Sequence, residues 1–324
     1  MKICFRLIKT NSGNDVYFEH LARALHNAGI ESEFQYFSHY YQYFPLLLLL
    51  NRSSPTDADI IHTNIEFGWA LKVKRKPLVS TVHHLVFDKY YQRFTSVYQK
   101  FFHYLVLLPN MYFTLLASDK VISVSKYTDK SLKLMFKYKN SQMIYNSIDR
   151  NTFIRKEINK YNDGKIHLLY VGNMINRKGS DLLPKLMIKL GDQYVLNYTS
   201  GLRTTKKCSD FPPNMISLGK ISETELVDQY NRCDALLFPT RLEGFGYAVV
   251  EALSCGTPVL CSNNSSLTEI ITDERMFIDI DPEINANQIK NKLRLKYRFN
   301  RNDLAKFSTK QMVDTYINMY NQLL

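Results

Sequence analysis

The sequence is poor in the residues that would staple a small or extracellular fold. Its five cysteines, Cys4, Cys208, Cys233, Cys255 and Cys261, are odd in number and form no C-x-x-C pair. That argues against a disulfide framework and a zinc site, and reads as a reduced, cytosolic chain. Long apolar runs are also missing. The nearest, residues 101–118, lacks Asp, Glu, Lys and Arg but holds His103 and a central Pro109-Asn110. A membrane span needs about 20 apolar residues, so this stretch reads as a buried or interfacial helix pair. The first nine residues are too short and too charged for a signal peptide and read as a buried strand. No repeat of solenoid length occurs. Acidic residues are the last shortage: 30 Asp and Glu face 42 Lys and Arg, a formal net charge of +12. The excess is uneven, a net +10 over residues 1–162 and +2 over residues 163–324.

With 324 residues, 45% of them apolar and 22% charged, the chain is of ordinary globular composition and exceeds what one core holds. Two domains are expected. Apolar runs alternate with helical patterns throughout, the signature of βα units and parallel sheets. Strands are read at residues 3–8, 59–62, 78–83, 120–124, 166–171, 195–199, 215–218, 234–239 and 257–261. Helices are read at 17–27, 180–190, 223–233 and 302–324. A polar stretch at 155–164 is the best linker. The expected division is therefore 1–158, 159–300, and a closing helix 301–324 that crosses back to the first domain.

The most informative segment is 238–258. A strand enters a loop with Gly244 and Gly246, and a short helix leaves it, ended by Gly256 with Pro258 soon after. Residues 247–253 are apolar except for Glu251. Burying a carboxylate costs several kcal/mol unless it is bonded, so Glu251 needs a partner, either a neighbouring helix terminus or Arg, or a ligand. Eight residues back, Glu243 lies where the strand ends, the place open α/β sheets put their ligands. The glycines let backbone amides approach a ligand, and a helix start favours anions. Two carboxylates beside an anion-binding loop suit a molecule with both hydroxyls and phosphates, such as a nucleotide sugar.

This segment resembles the glutamate–seven residues–glutamate motif of retaining glycosyltransferases with the GT-B fold, especially glycosyltransferase family 4. The likeness continues through residues 256–259 and 265–270. Upstream, residues 170–179 resemble the family's diphosphate-contacting strand and loop. The first half is similar to the acceptor-side domain at Gly13, 21–29, 59–62, 81–83, 118–125 and 145–149, and residues 307–320 to the closing helix. The resemblance implies two Rossmann-like βαβ domains facing across a cleft. It implies that Glu251 accepts hydrogen bonds from ribose hydroxyls, that Glu243 contacts the donor sugar, and that backbone amides of Phe245 to Tyr247, beside Gly244 and Gly246, lie near it. Lys178 would neutralise the diphosphate as the glycosidic bond breaks. Arg177 would assist, although neighbouring side chains on an extended loop point apart, which would leave it solvated. Gly13 would place its turn against phosphate, and His83 would reach the donor sugar. Where the family commonly has Arg after the glycine of the diphosphate strand, this chain has Asn173 in that donor-side position.

The expected activity is transfer of a hexose from a UDP- or GDP-type sugar to a glycan or polyprenyl-linked acceptor in cell-surface polysaccharide synthesis, with no cofactor and no metal. The alternatives are a GT-B sugar-nucleotide epimerase and a non-catalytic nucleotide-sugar-binding or scaffold subunit, the latter motivated by Asn173. Aromatics at 36–44 and lysines at 72–76 and 120–139 suit an anionic membrane surface at a cytoplasmic face, or else a core stripe beside a solvated charged face. No recognition motif accompanies the charge, so nucleic acid is not expected as a partner.

Overall fold

The computed structural model describes residues 1–9, 13–51, 56–200, 211–281, 283–295, 297 and 301–324, without the side chains of 51 and 301. Cys208 and the residues just before Gly13 lie outside the described residues. Two units divide the chain: Met1–Ser147 with Thr309–Leu324, and Ile148–Ser308.

In the first unit, β1 (Lys2–Ile8), β2 (Glu31–Phe37), β3 (Ile60–Asn64), β4 (Leu78–Val82), β5 (Lys120–Ser123) and β6 (Ser141–Met143) form a parallel sheet in the order β2-β1-β3-β4-β5-β6. β1 is buried on both faces, as a strand covered by crossover helices must be. The Gly13–Asn27 helix places Tyr17, Phe18, Leu21 and Leu25 against Phe5 and Leu7. The closing helix, Thr309–Asn321, adds Met312, Tyr316, Met319 and Tyr320 to that same core. Its attachment is polar as well as apolar. The Tyr316 and Tyr17 hydroxyls bond to each other, and the Tyr320 hydroxyl lies 2.6 Å from His62 Nδ1. His62 Nε2 meets Thr81 Oγ1 at 2.7 Å, so both ring nitrogens are used inside the fold.

In the second unit, β7 (Ile166–Tyr170), β8 (Tyr194–Thr199), β9 (Met215–Gly219), β10 (Ala235–Phe238), β11 (Val259–Ser262) and β12 (Phe277–Ile278) are again all parallel, in the order β12-β11-β10-β7-β8-β9. Each unit is thus a Rossmann-like α/β domain.

Three readings need revision. The unit boundary falls at Ser147 and Ile148, ahead of the polar stretch, because that stretch is itself docked. Phe153 packs on Tyr230, Lys156 pairs with Asp228 at 2.8 Å, and the Tyr161 hydroxyl donates to Gln229 at 2.8 Å. The final segment rejoins the first unit at Thr309 rather than 301, after a 3-10 turn at Arg301–Phe307. Residues 101–118 are not two separate helices. Val97–Phe102, a π-helical turn at His103–Leu107 and Leu108–Ala117 run on from one another, with Pro109, which has no N–H to donate, just after the π-helical turn.

Candidate functional site

Topology picks out one place in the second unit. β7 has β8 on one side and β10 on the other, so the connections leaving β7 and β10 diverge. Ligands of open parallel sheets bind outside the carboxyl ends of strands at such a switch point. The two loops that leave there, 171–179 and 239–246, carry every donor-side residue expected from the sequence except Gly13, His83, Glu251 and Tyr247, and the last two follow on the Tyr247–Ser254 helix.

The loops are zipped together. Asn176–Lys178 is a single 3-10 turn closed by Gly179 at φ 71°. A Cβ on Gly179 would stand 1.9 Å from the Pro239 carbonyl oxygen, so only glycine permits this approach. The Arg241 N–H donates to the Arg177 carbonyl at 2.8 Å, and Arg177 Nη1 donates to the Leu242 carbonyl at 2.7 Å. Arg241, 3% exposed, grips Asp181 through both terminal nitrogens at 2.6 and 2.8 Å and donates to the Asn176 carbonyl. Such a bidentate fork pairs the two terminal nitrogens of the guanidinium and fixes its angle.

The zipper aims charge at one point. Lys178 Nζ lies 2.5 Å from Glu243 Oε1, Arg177 Nη1 lies 3.7 Å from the same oxygen, and the Thr240 hydroxyl is 3.0 Å away. Arg177 is therefore not a solvated side chain: the tight turn, unlike an extended loop, points it and Lys178 to the same carboxylate. Burial pushes the Glu243 carboxyl up, but Lys178 and Arg177 outweigh it and hold the group below the usual carboxylate range. From behind, the Glu243 N–H donates to Ser265 Oγ at 3.0 Å. The Ser266 hydroxyl lies 3.0 Å from the Phe245 carbonyl.

Gly246, at φ 99°, turns the loop into the helix, where a Cβ would meet Leu267 at 2.8 Å. Phe245 is buried edge-on against Tyr247 and Phe307, each at 5.1 Å. Its side chain therefore belongs to the core, and only its backbone faces the loop. Gly244 stands between Glu243 and Phe245 on the same turn. Glu251 is buried one turn into the helix. It accepts a bond from the Tyr230 hydroxyl at 2.8 Å on Oε2, while Oε1 has no donor among the described residues. Burial pushes its carboxyl up to about 7, with Tyr230 opposing, and the group is close enough to feel the Lys178 charge. Asn173 follows the Gly172 turn; its backbone carbonyl accepts from the Tyr170 hydroxyl at 3.0 Å.

Gly13 and His83 belong to the first unit. Gly13 opens the helix after β1, at that sheet's own switch between β1 and β3. His83 follows β4 and is packed edge-on against Tyr17 and Phe18, with ring centroids 4.7 and 5.7 Å away. Its Nε2 is buried without a partner, and burial pushes its pKa down to about 3, so the imidazole is neutral.

Two Asp-x-Asp triplets occur in the sequence. Asp57 and Asp59 are engaged by Lys2, and Asp279 accepts from Gln288 Nε2 at 2.9 Å. Among the described residues no three His, Cys, Asp or Glu side chains converge as metal ligands would. Sequence reasoning missed Thr240, Arg241, Asp181 and Ser265. The only signal was an Arg beside Glu243 in a loop otherwise built to be buried.

The fold agrees with that of known proteins. Residues 20–152 match the family model Glycosyltransferase Family 4, and residues 151–309 match the model Glycosyl transferases group 1. Both halves thus carry glycosyltransferase-family domains, and the paired Rossmann-like domains are of the GT-B class. Among individual relatives, the O-antigen biosynthesis glycosyltransferase WclY of Escherichia coli is 28% identical over 272 residues, covering 78% of this chain and 73% of that protein. Of solved structures, the sucrose-phosphate synthase tll1590 from Thermosynechococcus elongatus superposes with a TM-score of 0.79 at 19% identity, over 99% of this chain and 98% of that one. Anabaena Alr3699/HepE in complex with UDP-glucose gives 0.73 at 16% identity, over 100% of both.

Proposed function

We propose that the protein is a retaining, metal-independent hexosyltransferase that moves a sugar from a nucleoside diphosphate sugar to a glycan or polyprenyl-linked acceptor in cytoplasmic steps of surface polysaccharide synthesis. The observation that carries the reading is the Lys178–Glu243 pair, buried where β7 and β10 diverge, with Glu251 on the helix that follows. In it, the Glu251 oxygen that lacks a donor accepts the ribose hydroxyls. Lys178 turns from Glu243 toward the diphosphate as the bond between the sugar's anomeric carbon and the phosphate oxygen breaks. Glu243, released by that turn, takes donor-sugar hydroxyls. The acceptor oxygen bonds to the anomeric carbon, and its proton passes to the departing diphosphate. Removing one donor aimed at charge that develops in the transition state costs about 2.7–4 kcal/mol in oxyanion holes, the scale expected of the Lys178 ammonium once it has turned. Arg177 supplies the second cation that Asn173 does not. The names of the relatives support this reading: one makes O-antigen, and one is described with UDP-glucose.

Asn173 favours a second reading, a nucleotide-sugar-binding subunit without turnover. A panel of UDP- and GDP-sugars decides between them. The proposal expects a rise in melting temperature with one donor, release of its nucleoside diphosphate without added metal, and a product whose anomeric configuration matches the donor by NMR. Binding without release supports the second reading, and an inverted product refutes retention.

A further inference from the structure

We propose that the first unit docks on an anionic lipid bilayer through one outward face built from residues 40–50 and the helical stretch 97–116. The proposal does not depend on which sugar is transferred.

Exposed large apolar side chains are normal when scattered. Here they are not scattered: of twenty-three among the described residues, fifteen lie within 36–50 or 97–116. Several are almost bare, with Tyr98 88% exposed, Val97 80%, Leu50 78% and Leu116 68%. The two segments form one surface. The Tyr43 ring lies 5.8 Å from that of Phe102, and Leu48 joins Trp69, Val106 and Leu107 in a shared core beneath it. The helix in this face is apolar on its outer side as well as its inner one, and its polar Asn110 and Thr114 are buried. It buries Met111 and Leu115 inward and turns Leu105, Tyr112, Phe113 and Leu116 outward, where a water-facing helix carries polar residues.

Charge selects the occupant. Residues 34–56 and 89–118 contain no Asp or Glu, whereas Lys89, Arg93 and Lys100 punctuate them, in the half of the chain with net charge +10. A second copy would set this positive rim against itself. An anionic headgroup layer complements it, and tyrosine and phenylalanine rings are favoured at headgroup depth. No helix among the described residues is long and apolar enough to cross a membrane, so the face lies on the bilayer.

The chain's one tryptophan, Trp69, sits at the base of this face, 5.9 Å from Phe113 and bonded to Asn110 at 2.8 Å. It reports which side docks. The experiment is co-sedimentation with phosphatidylglycerol–phosphatidylcholine vesicles and with phosphatidylcholine vesicles alone, repeated with brominated lipids that quench indole. Wild type should sediment with the anionic vesicles, with Trp69 quenched. The variants Leu46→Glu/Leu50→Glu and Phe101→Glu/Leu116→Glu should each lower the partition coefficient about tenfold or more. If either fails to melt like wild type, Leu50→Ser/Leu116→Ser is read instead, with a loss of about threefold. Overturning results are no anionic binding, binding without quenching, variants that bind like wild type, or a dimer in sedimentation velocity that the variants dissolve.

Discussion

Glu251 should make nucleotide-sugar binding depend on pH in a direction opposite to its effect on stability. Its carboxyl titrates near 7 in the folded chain, because burial opposes ionisation, against an ordinary value of 4.5. Ribose hydroxyls need the ionised form as acceptor. With a midpoint of 7, affinity is within about 10% of its limit at pH 8, about twofold below it at pH 7 and about elevenfold below at pH 6, or ~1.4 kcal/mol from pH 8 to pH 6. Stability runs the other way. The folded state holds this proton more tightly than the unfolded state, so the difference favours folding below pH 4.5 and is lost as pH rises through 7. The shift corresponds to ~3 kcal/mol. Glu251→Gln should therefore raise the melting temperature above pH 7 while weakening the donor and flattening the pH profile. Glu243→Gln should leave the profile intact. The assay is calorimetry with an intact nucleotide sugar, whose diphosphate does not titrate in this range, in two buffers of different ionisation enthalpy. A flat profile in wild type, or the same slope in Glu251→Gln, refutes the ribose assignment.

The remaining expectations concern the loops. Gly179→Ala should destabilise the second unit by more than ~1 kcal/mol, since it strains a positive φ and drives a methyl into Pro239, and denaturant melts would show it. Arg177→Ala should lower kcat by less than Lys178→Ala does, because the Leu242 carbonyl already claims part of its guanidinium; the reverse order in steady-state assays would make Arg177 the principal cation.

Much of this arrangement was legible in the sequence, and the reason is local. Apolar runs such as 166–171 and 234–239, short and bounded by turn residues, read as buried parallel strands, and a lone Glu in the apolar helix 247–254 announces a specific partner. β2 was illegible because Glu31–Phe37 is a half-exposed edge strand whose polar residues hide its pattern. The Arg241–Asp181 fork was illegible for another reason. It joins residues sixty positions apart, and only the close approach of Gly179 to Pro239 brings them together. Arg177 was misjudged because its direction depends on a 3-10 turn that no residue type signals. Pairing across the fold, rather than element type, is what sequence pattern leaves out.

The central claim is that the Lys178 ammonium stabilises charge on a departing nucleoside diphosphate. It is tested most directly by single-turnover release of that product from wild type and Lys178→Ala, with donor affinity measured alongside. The account predicts a fall of about 10²–10³-fold in the rate, with a much smaller change in affinity. An unchanged rate in Lys178→Ala, or a loss confined to affinity, would contradict it.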